Sequence, residues 1–151
     1  SSAGMPLVSD PGYELIQAVL ERGHEVTVVP GPTAALAALA VSGLPPLPFT
    51  FMGFVPRKSA ARQRFFSPYA RDERTLVAYE SPNRLLAMLR DVRAALGERR
   101  VALCNELTKL YEATWRGPLS AAIEYLQENP PRGEYVVVIG GADAGMEGDG
   151  E

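Results

Sequence analysis

Apolar residues fall along this chain in two alternating patterns, short β-branched runs and longer stretches with a helical repeat. Val26-Thr27-Val28-Val29, Thr75 to Tyr79, Val101 to Cys104 and Tyr135 to Ile139 predict short buried strands. Phe49 to Phe54 alternates aromatic and small residues and predicts one more. Gly12 to Arg22 carries Leu15, Ile16, Val19 and Leu20 on one helical face, with Gly23 where a C-terminal cap belongs. Thr33 to Val41 is rich in alanine and small on every side, which suits a helix lying close to a sheet or a ligand. Asn83 to Leu96 repeats the amphipathic pattern up to Gly97, and Leu119 to Gln127 predicts a last helix, stopped by Asn129-Pro130-Pro131.

Strands and helices in alternation define an α/β layer architecture. Clustered Gly and Pro at residues 42–48 interrupt both helix and sheet, so the link between two α/β layers is expected there. Residues 1–45 then form the last part of an N-terminal α/β domain, 46–143 a C-terminal α/β domain, and 144–151 a disordered acidic tail. Ser1 to Pro6 reads as a turn that a strand should feed, so a strand upstream of residue 1 is expected.

Composition narrows the class. No apolar run approaches the roughly 20 residues of a membrane-spanning helix, and one cysteine and one histidine offer neither a disulfide framework nor a metal ligand set. A cytoplasmic protein without metal is the expectation. A net charge of -3 argues against nucleic-acid binding by bulk charge, yet Arg57 to Arg64 is basic without a single acid. Such a run is commonly a solvated helix face; its other use is to neutralise phosphates.

Candidate chemistry clusters where strands end. Ala3-Gly4-Met5-Pro6 and Pro30-Gly31-Pro32-Thr33-Ala34 lie at strand-to-helix turns, the edge nucleotide-like ligands favour, although Pro-Gly-Pro turns are more often plain connections. In Tyr79-Glu80-Ser81-Pro82-Asn83-Arg84, Ser81 suits an N-cap and Pro82 the first helical position. Glu80 is the residue that capping does not explain, because a carboxylate at the tip of a buried strand must be paired or used. Asn105-Glu106-Leu107-Thr108-Lys109 again opens with an acid after a strand, and Glu112 stands at helical spacing to pair with Lys109. His24 on an exposed turn reads as inert, and Trp115 beside Arg116 reads as packing before base stacking.

Taken in order, these motifs resemble the ribosomal small-subunit methyltransferase I family of the tetrapyrrole methylase fold. Ser1 to Pro6 with Ser9-Asp10-Pro11-Gly12, Pro30 to Ala34, Gly53 to Lys58, Tyr79 to Arg84, Asn105 to Lys109 with Glu112, and Gly133 to Val136 carry the likeness, which extends to about Gly141. Ser2, Met5, Asn83 and Asn105 depart from the pattern, replacing an acid, a Thr, a His and an Arg, and the family's N-terminal part has no counterpart.

The resemblance implies methyl transfer from S-adenosylmethionine to the ribose 2'-hydroxyl of a cytidine in 16S rRNA, with the small ribosomal subunit as partner and a homodimer as a further expectation. By motif position it assigns cofactor contacts to Gly4, Pro6, Thr33, Ala34, Ser81 and Leu107. Glu80 and Glu106 become candidates for orienting or accepting the hydroxyl proton, Lys109 and Arg84 for holding the adjoining phosphate, and Arg57, Lys58, Arg62 and Arg84 for RNA contact. Three alternatives stand beside it: a tetrapyrrole-type small-molecule methyltransferase, a noncatalytic remnant binding RNA or a partner through Arg57 to Arg64, and a generic nucleotide-binding half-domain.

Overall fold

The computed structural model describes residues 4–142, which divide into two compact units, one ending at Thr33 and the other beginning at Ala34. The acidic tail expected at 144–151 lies outside the described residues.

In the first unit, α1 (Tyr13–Glu21) forms where the helical repeat predicts it, but none of its residues is buried. Residues 26–29 form no strand, and Val28 and Val29 stay exposed. The β-branched pattern is real, yet a strand needs a neighbour to satisfy its backbone N–H and C=O groups, and no ladder pairs with it among the described residues.

The second unit is built on a five-stranded sheet in the order β1 (Phe49–Phe54), β2 (Thr75–Glu80), β5 (Tyr135–Ile139), β3 (Arg100–Asn105), β4 (Ala113–Pro118). β1 runs parallel to β2, while β5 runs antiparallel to both of its neighbours, β2 and β3, so β2 and β3 point the same way. β4 closes the far edge antiparallel to β3; it was not foreseen from the sequence.

Each strand sends alternate residues to opposite faces, and both faces are covered. On one, Ala35, Ala38 and Leu39 of α2 (Ala34–Ser42) meet Val77, Ala102, Cys104, Val136 and Val138. The small side chains of α2 let it lie close on the sheet. The compact units therefore part ahead of α2 rather than at the Gly/Pro link expected near 42–48, because the helix buries its apolar surface on the second unit. The other face is covered by α3 (Ser59–Phe66), α4 (Pro82–Leu96) and α5 (Leu119–Glu128). α4 begins at Ser81 and Pro82 as their backbone preferences dictate, buries Leu85, Met88, Leu89, Val92 and Leu96, and stops at Gly97, whose φ of +78° few other residues tolerate. Burying each of these side chains stabilises the fold by about 1.5–3 kcal/mol.

One buried charge pair joins two of these helices. Arg62 of α3 is 2% exposed and places a guanidinium nitrogen 2.6 Å from an Asp91 carboxylate oxygen on α4. Ser59 Oγ and Gln63 Nε2 donate to the other oxygen. Burial pushes the Asp91 carboxyl up, but the hydrogen bonds from Gln63, Ser59 and Arg62 outweigh it and hold the pKa below the usual value. Arg62 was expected to face RNA. Its guanidinium turns inward because Asp91 would otherwise be a buried carboxylate without a partner, so Arg62 leaves the set of RNA contacts.

Candidate functional site

The strand order brings together segments far apart in the chain. Because β1, β2 and β3 point the same way and β5 the opposite way, one edge of the sheet collects the ends of the first three and the start of the last. Along it stand Phe54 opposite Tyr79, then Glu80 and Asn105, each opposite Tyr135. Two strand spacings separate Glu80 from Asn105, about 10 Å. The residues that follow these strands, Arg57 and Lys58 after β1, Ser81 and Arg84 after β2, and Glu106 to Lys109 after β3, share this edge with Arg132 to Glu134 before β5.

Glu80 lies on the α4 face of the sheet and is 3% exposed. Its Oε1 accepts from the Ser81 backbone N–H at 2.7 Å and from Arg84 Nε at 3.0 Å, one helical turn on. Its Oε2 is buried without a hydrogen-bond partner among the described residues. Arg84 keeps 34% of its side chain exposed. Glu80 thus holds the Arg84 guanidinium from beneath, at the start of α4.

Glu106 is differently placed. With φ of +47° it turns the chain out of β3, and its Oε1 accepts both the Glu134 backbone N–H at 2.7 Å and Lys109 Nζ at 3.3 Å. Its own N–H donates to the Glu134 carbonyl at 3.0 Å. The Glu134 N–H, and Lys109 with it, hold the Glu106 carboxyl below the ordinary carboxylate range despite its partial burial. Lys109 Nζ also reaches Glu134 Oε2 at 2.6 Å, and the two carboxylates raise its pKa, so it is a fixed cation. Glu112, expected to pair with Lys109, instead accepts the Thr108 N–H at 3.2 Å. Gly133 permits the arrangement: a Cβ there would lie 2.5 Å from Glu106 Oε1, and its φ is +75°.

On the opposite face, the same edge is apolar. Tyr79 meets Phe51 and Phe54 edge-on at 5.0 and 5.5 Å between ring centres, and Leu107 packs on the layer that holds Ala35 and Leu39. Burial raises the Tyr79 hydroxyl pKa, with a hydrogen bond to the Ala35 backbone partly opposing it. Ala34 sits exposed at the start of α2.

In the first unit, two segments read from the sequence as ligand turns lie side by side. The Met5 N–H donates to the Pro32 carbonyl at 2.9 Å, and a Cβ on Gly4 would sit 2.4 Å from that oxygen, so only glycine fits. Gly4, Pro6 and Thr33 thus belong to this unit, and Ala34, Ser81 and Leu107 to the second.

Sequence reasoning passed over Glu134, whose carboxylate clamps Lys109, and Arg132, exposed beside it. Glu134 lay within the motif Gly133 to Val136 but 25 residues from Lys109, and only strand order joins the two. Trp115 stacks on Tyr125 at 5.7 Å, the packing role expected, and Cys104 is a buried free thiol. Among the described residues, no helix is long and apolar enough to cross a membrane, and no group of three or more His, Cys, Asp or Glu side chains is disposed to hold a metal ion.

A mixed sheet layered by helices is a fold shared with solved methyltransferases. The structure of the methyltransferase CobJ matches with a TM-score of 0.63 and 23% identity, covering 86% of this chain and 57% of that one. Uroporphyrin-III C-methyl transferase from Thermus thermophilus, complexed with S-adenyl homocysteine, matches with a TM-score of 0.56 and 23% identity, covering 91% and 62%. The family model of Tetrapyrrole (Corrin/Porphyrin) Methylases matches residues 1–123, and the chain belongs to that family. Within it, the chain is similar to proteins named ribosomal RNA small subunit methyltransferase I: 48% identical over 143 residues to that of Synechocystis sp. (94% of this chain, 51% of the relative) and 43% identical over 143 residues to that of Thermotoga maritima (95% and 64%). That of Mycobacterium tuberculosis is 46% identical over 143 residues, 94% of this chain and 50% of the relative. The chain spans about half to two-thirds of the length of these relatives.

Proposed function

We propose that this chain forms part of an S-adenosylmethionine-dependent enzyme that methylates the ribose 2'-hydroxyl of a cytidine in 16S rRNA, working in the cytoplasm on the small ribosomal subunit. The observation that carries this reading is the clamped trio of Glu106, Lys109 and Glu134 on the same sheet edge as Arg84, within a chain 40–48% identical to proteins of that name.

The residues present suit the cofactor. A flat adenine ring calls for small and apolar neighbours with backbone groups at hand, which Ala34, Leu107 and the Tyr79 side of the edge supply. Ser81 adds a hydroxyl, and Gly4, Pro6 and Thr33 are the contacts proposed in the first unit. When bound, S-adenosylmethionine supplies an electrophilic methyl group on a sulfonium.

The protein's own groups position the acceptor. Lys109 and the exposed part of Arg84 hold the phosphate next to the target ribose, and Glu80 fixes Arg84. Both donors to Glu106 reach the same oxygen, Oε1, so Oε2 is the carboxylate oxygen proposed to take the hydroxyl proton. Its lowered pKa makes it ionised at neutral pH but a weak base. Arg57 and Lys58, exposed beyond β1, extend the cationic edge toward neighbouring phosphates. A pair of such chains forming a homodimer is a further part of the proposal, checked by mass in solution.

Calorimetric titration of S-adenosylmethionine into the chain extended to the length of its relatives tests the cofactor assignment. Binding that disappears on Gly4→Val and on Leu107→Asp supports it; saturable binding untouched by either substitution removes these residues from the site.

A further inference from the structure

The turn from β3 to β4 displays two large apolar residues that the proposed chemistry leaves unused. Leu110 is 87% exposed and Tyr111 79%, and neither belongs to an apolar layer of the fold. Single exposed apolar residues are ordinary on protein surfaces. These two are consecutive and sit on a turn fixed at many points. The Lys109 N–H donates to the Glu106 carbonyl at 2.9 Å, and the Glu112 N–H to the Lys109 carbonyl at 3.1 Å. The Thr108 N–H is held by Glu112 Oε1, and Lys109 Nζ by Glu106 and Glu134. Two of its residues that are not glycine, Glu106 and Thr108, hold positive φ. Such a conformation persists only where its surroundings over-determine it.

We infer that Tyr111, supported by Leu110, is a stacking platform for one unpaired RNA base, and that the base is one carrying an exocyclic amine. This rests on the proposed RNA substrate and deepens it. A phenol ring has few torsions to freeze and stacks on any base. Carboxylates on either side of the turn suit the polar edge of a base stacked on the ring. Glu112 and Glu134 flank the turn and offer acceptors for an amine such as cytosine N4, while Lys109, held by Glu134, is left to the adjoining phosphate. The cations fitted to the flanking phosphates stand on the same edge, at Lys109, Arg132, Arg84, Arg57 and Lys58.

The test uses the chain itself without cofactor, titrated with six-nucleotide oligocytidylate and oligouridylate. Oligocytidylate is expected to bind more tightly than oligouridylate, Tyr111→Ala to weaken oligocytidylate by about 10-fold, and Tyr111→Phe to match the unaltered chain, since one base–aromatic stack is worth about 5- to 150-fold. Equal binding by Tyr111→Ala and the unaltered chain overturns the inference, as does equal affinity for the two oligonucleotides. A melting temperature lowered in Tyr111→Ala with oligonucleotide binding unchanged also overturns it, identifying a packing role. Failure of methyl transfer in the extended protein, with the oligonucleotide preference intact, would strike the proposed function and leave this inference standing.

Discussion

Glu80 and Arg84 form an ion pair one helical turn apart in which the acid is buried and the base is one-third exposed. The carboxylate at the strand tip therefore serves the arginine at the start of α4. Substituting Arg84→Ala in the extended protein is expected to raise KM for small-subunit RNA and reduce the slope of log affinity against log salt by about 1. Glu80→Gln should act in the same direction with cofactor affinity unchanged. The double variant should be no worse than Arg84→Ala alone, because the two residues work as one unit. Additive losses would make Glu80 an independent contributor.

Arg62 and Asp91 test the fold without reference to activity. Asp91→Ala leaves a guanidinium buried without its carboxylate and is expected to cost about 3–5 kcal/mol in chemical denaturation. Replacing both residues by apolar ones of similar volume should recover most of the loss. A fall below about 1 kcal/mol for Asp91→Ala would mean that Arg62 reaches solvent.

Acid should weaken the fold in a defined direction. The folded-state pKa of Asp91 lies below its ordinary value, as does that of half-buried Asp72, which the Arg74 side chain and backbone hold at about 2. Between the folded and unfolded pKa values the unfolded chain binds more protons, so the contribution is complete above pH of about 4 and is lost as pH falls through the folded values. Denaturation midpoints measured from pH 6 down to pH 2 should decline, and less steeply in Asp91→Asn.

Cys104 offers a probe of the layer beneath α2. Burial raises its thiol pKa, with weaker opposition from Thr114 and Arg116. A thiol reagent at pH 8 should leave it unmodified in the native chain and react fully in denaturant. Rapid modification under native conditions would show that α2 lifts from the sheet.

Much of this architecture is legible in the pattern of residues. α4 and α5 follow from apolar residues recurring at three and four, and β2, β3 and β5 from compact β-branched runs. β4 escapes notice because Ala113–Pro118 is an edge strand containing Gly and Pro, with only one buried position. Residues 26–29 mislead in the opposite sense, since a local pattern cannot supply the neighbouring strand on which a ladder depends. Arg62 reads as part of a charged surface, and the sign of its inward turn is Asp91, an acid set among Met88, Leu89 and Val92 on the buried face of α4. Strand ends carrying Glu80 and Glu106 are evident in the sequence; the clamp by Glu134 is not, because it depends on β5 inserting between β2 and β3.

The most direct measurement is transfer of a labelled methyl group from S-adenosylmethionine to small ribosomal subunits by the extended protein, followed by alkaline hydrolysis of the RNA. Label recovered in an alkali-resistant dinucleotide beginning with cytidine, and lost on Glu106→Gln, is the expected result. Label on a base or on a tetrapyrrole, or full transfer by Glu106→Gln, would contradict it.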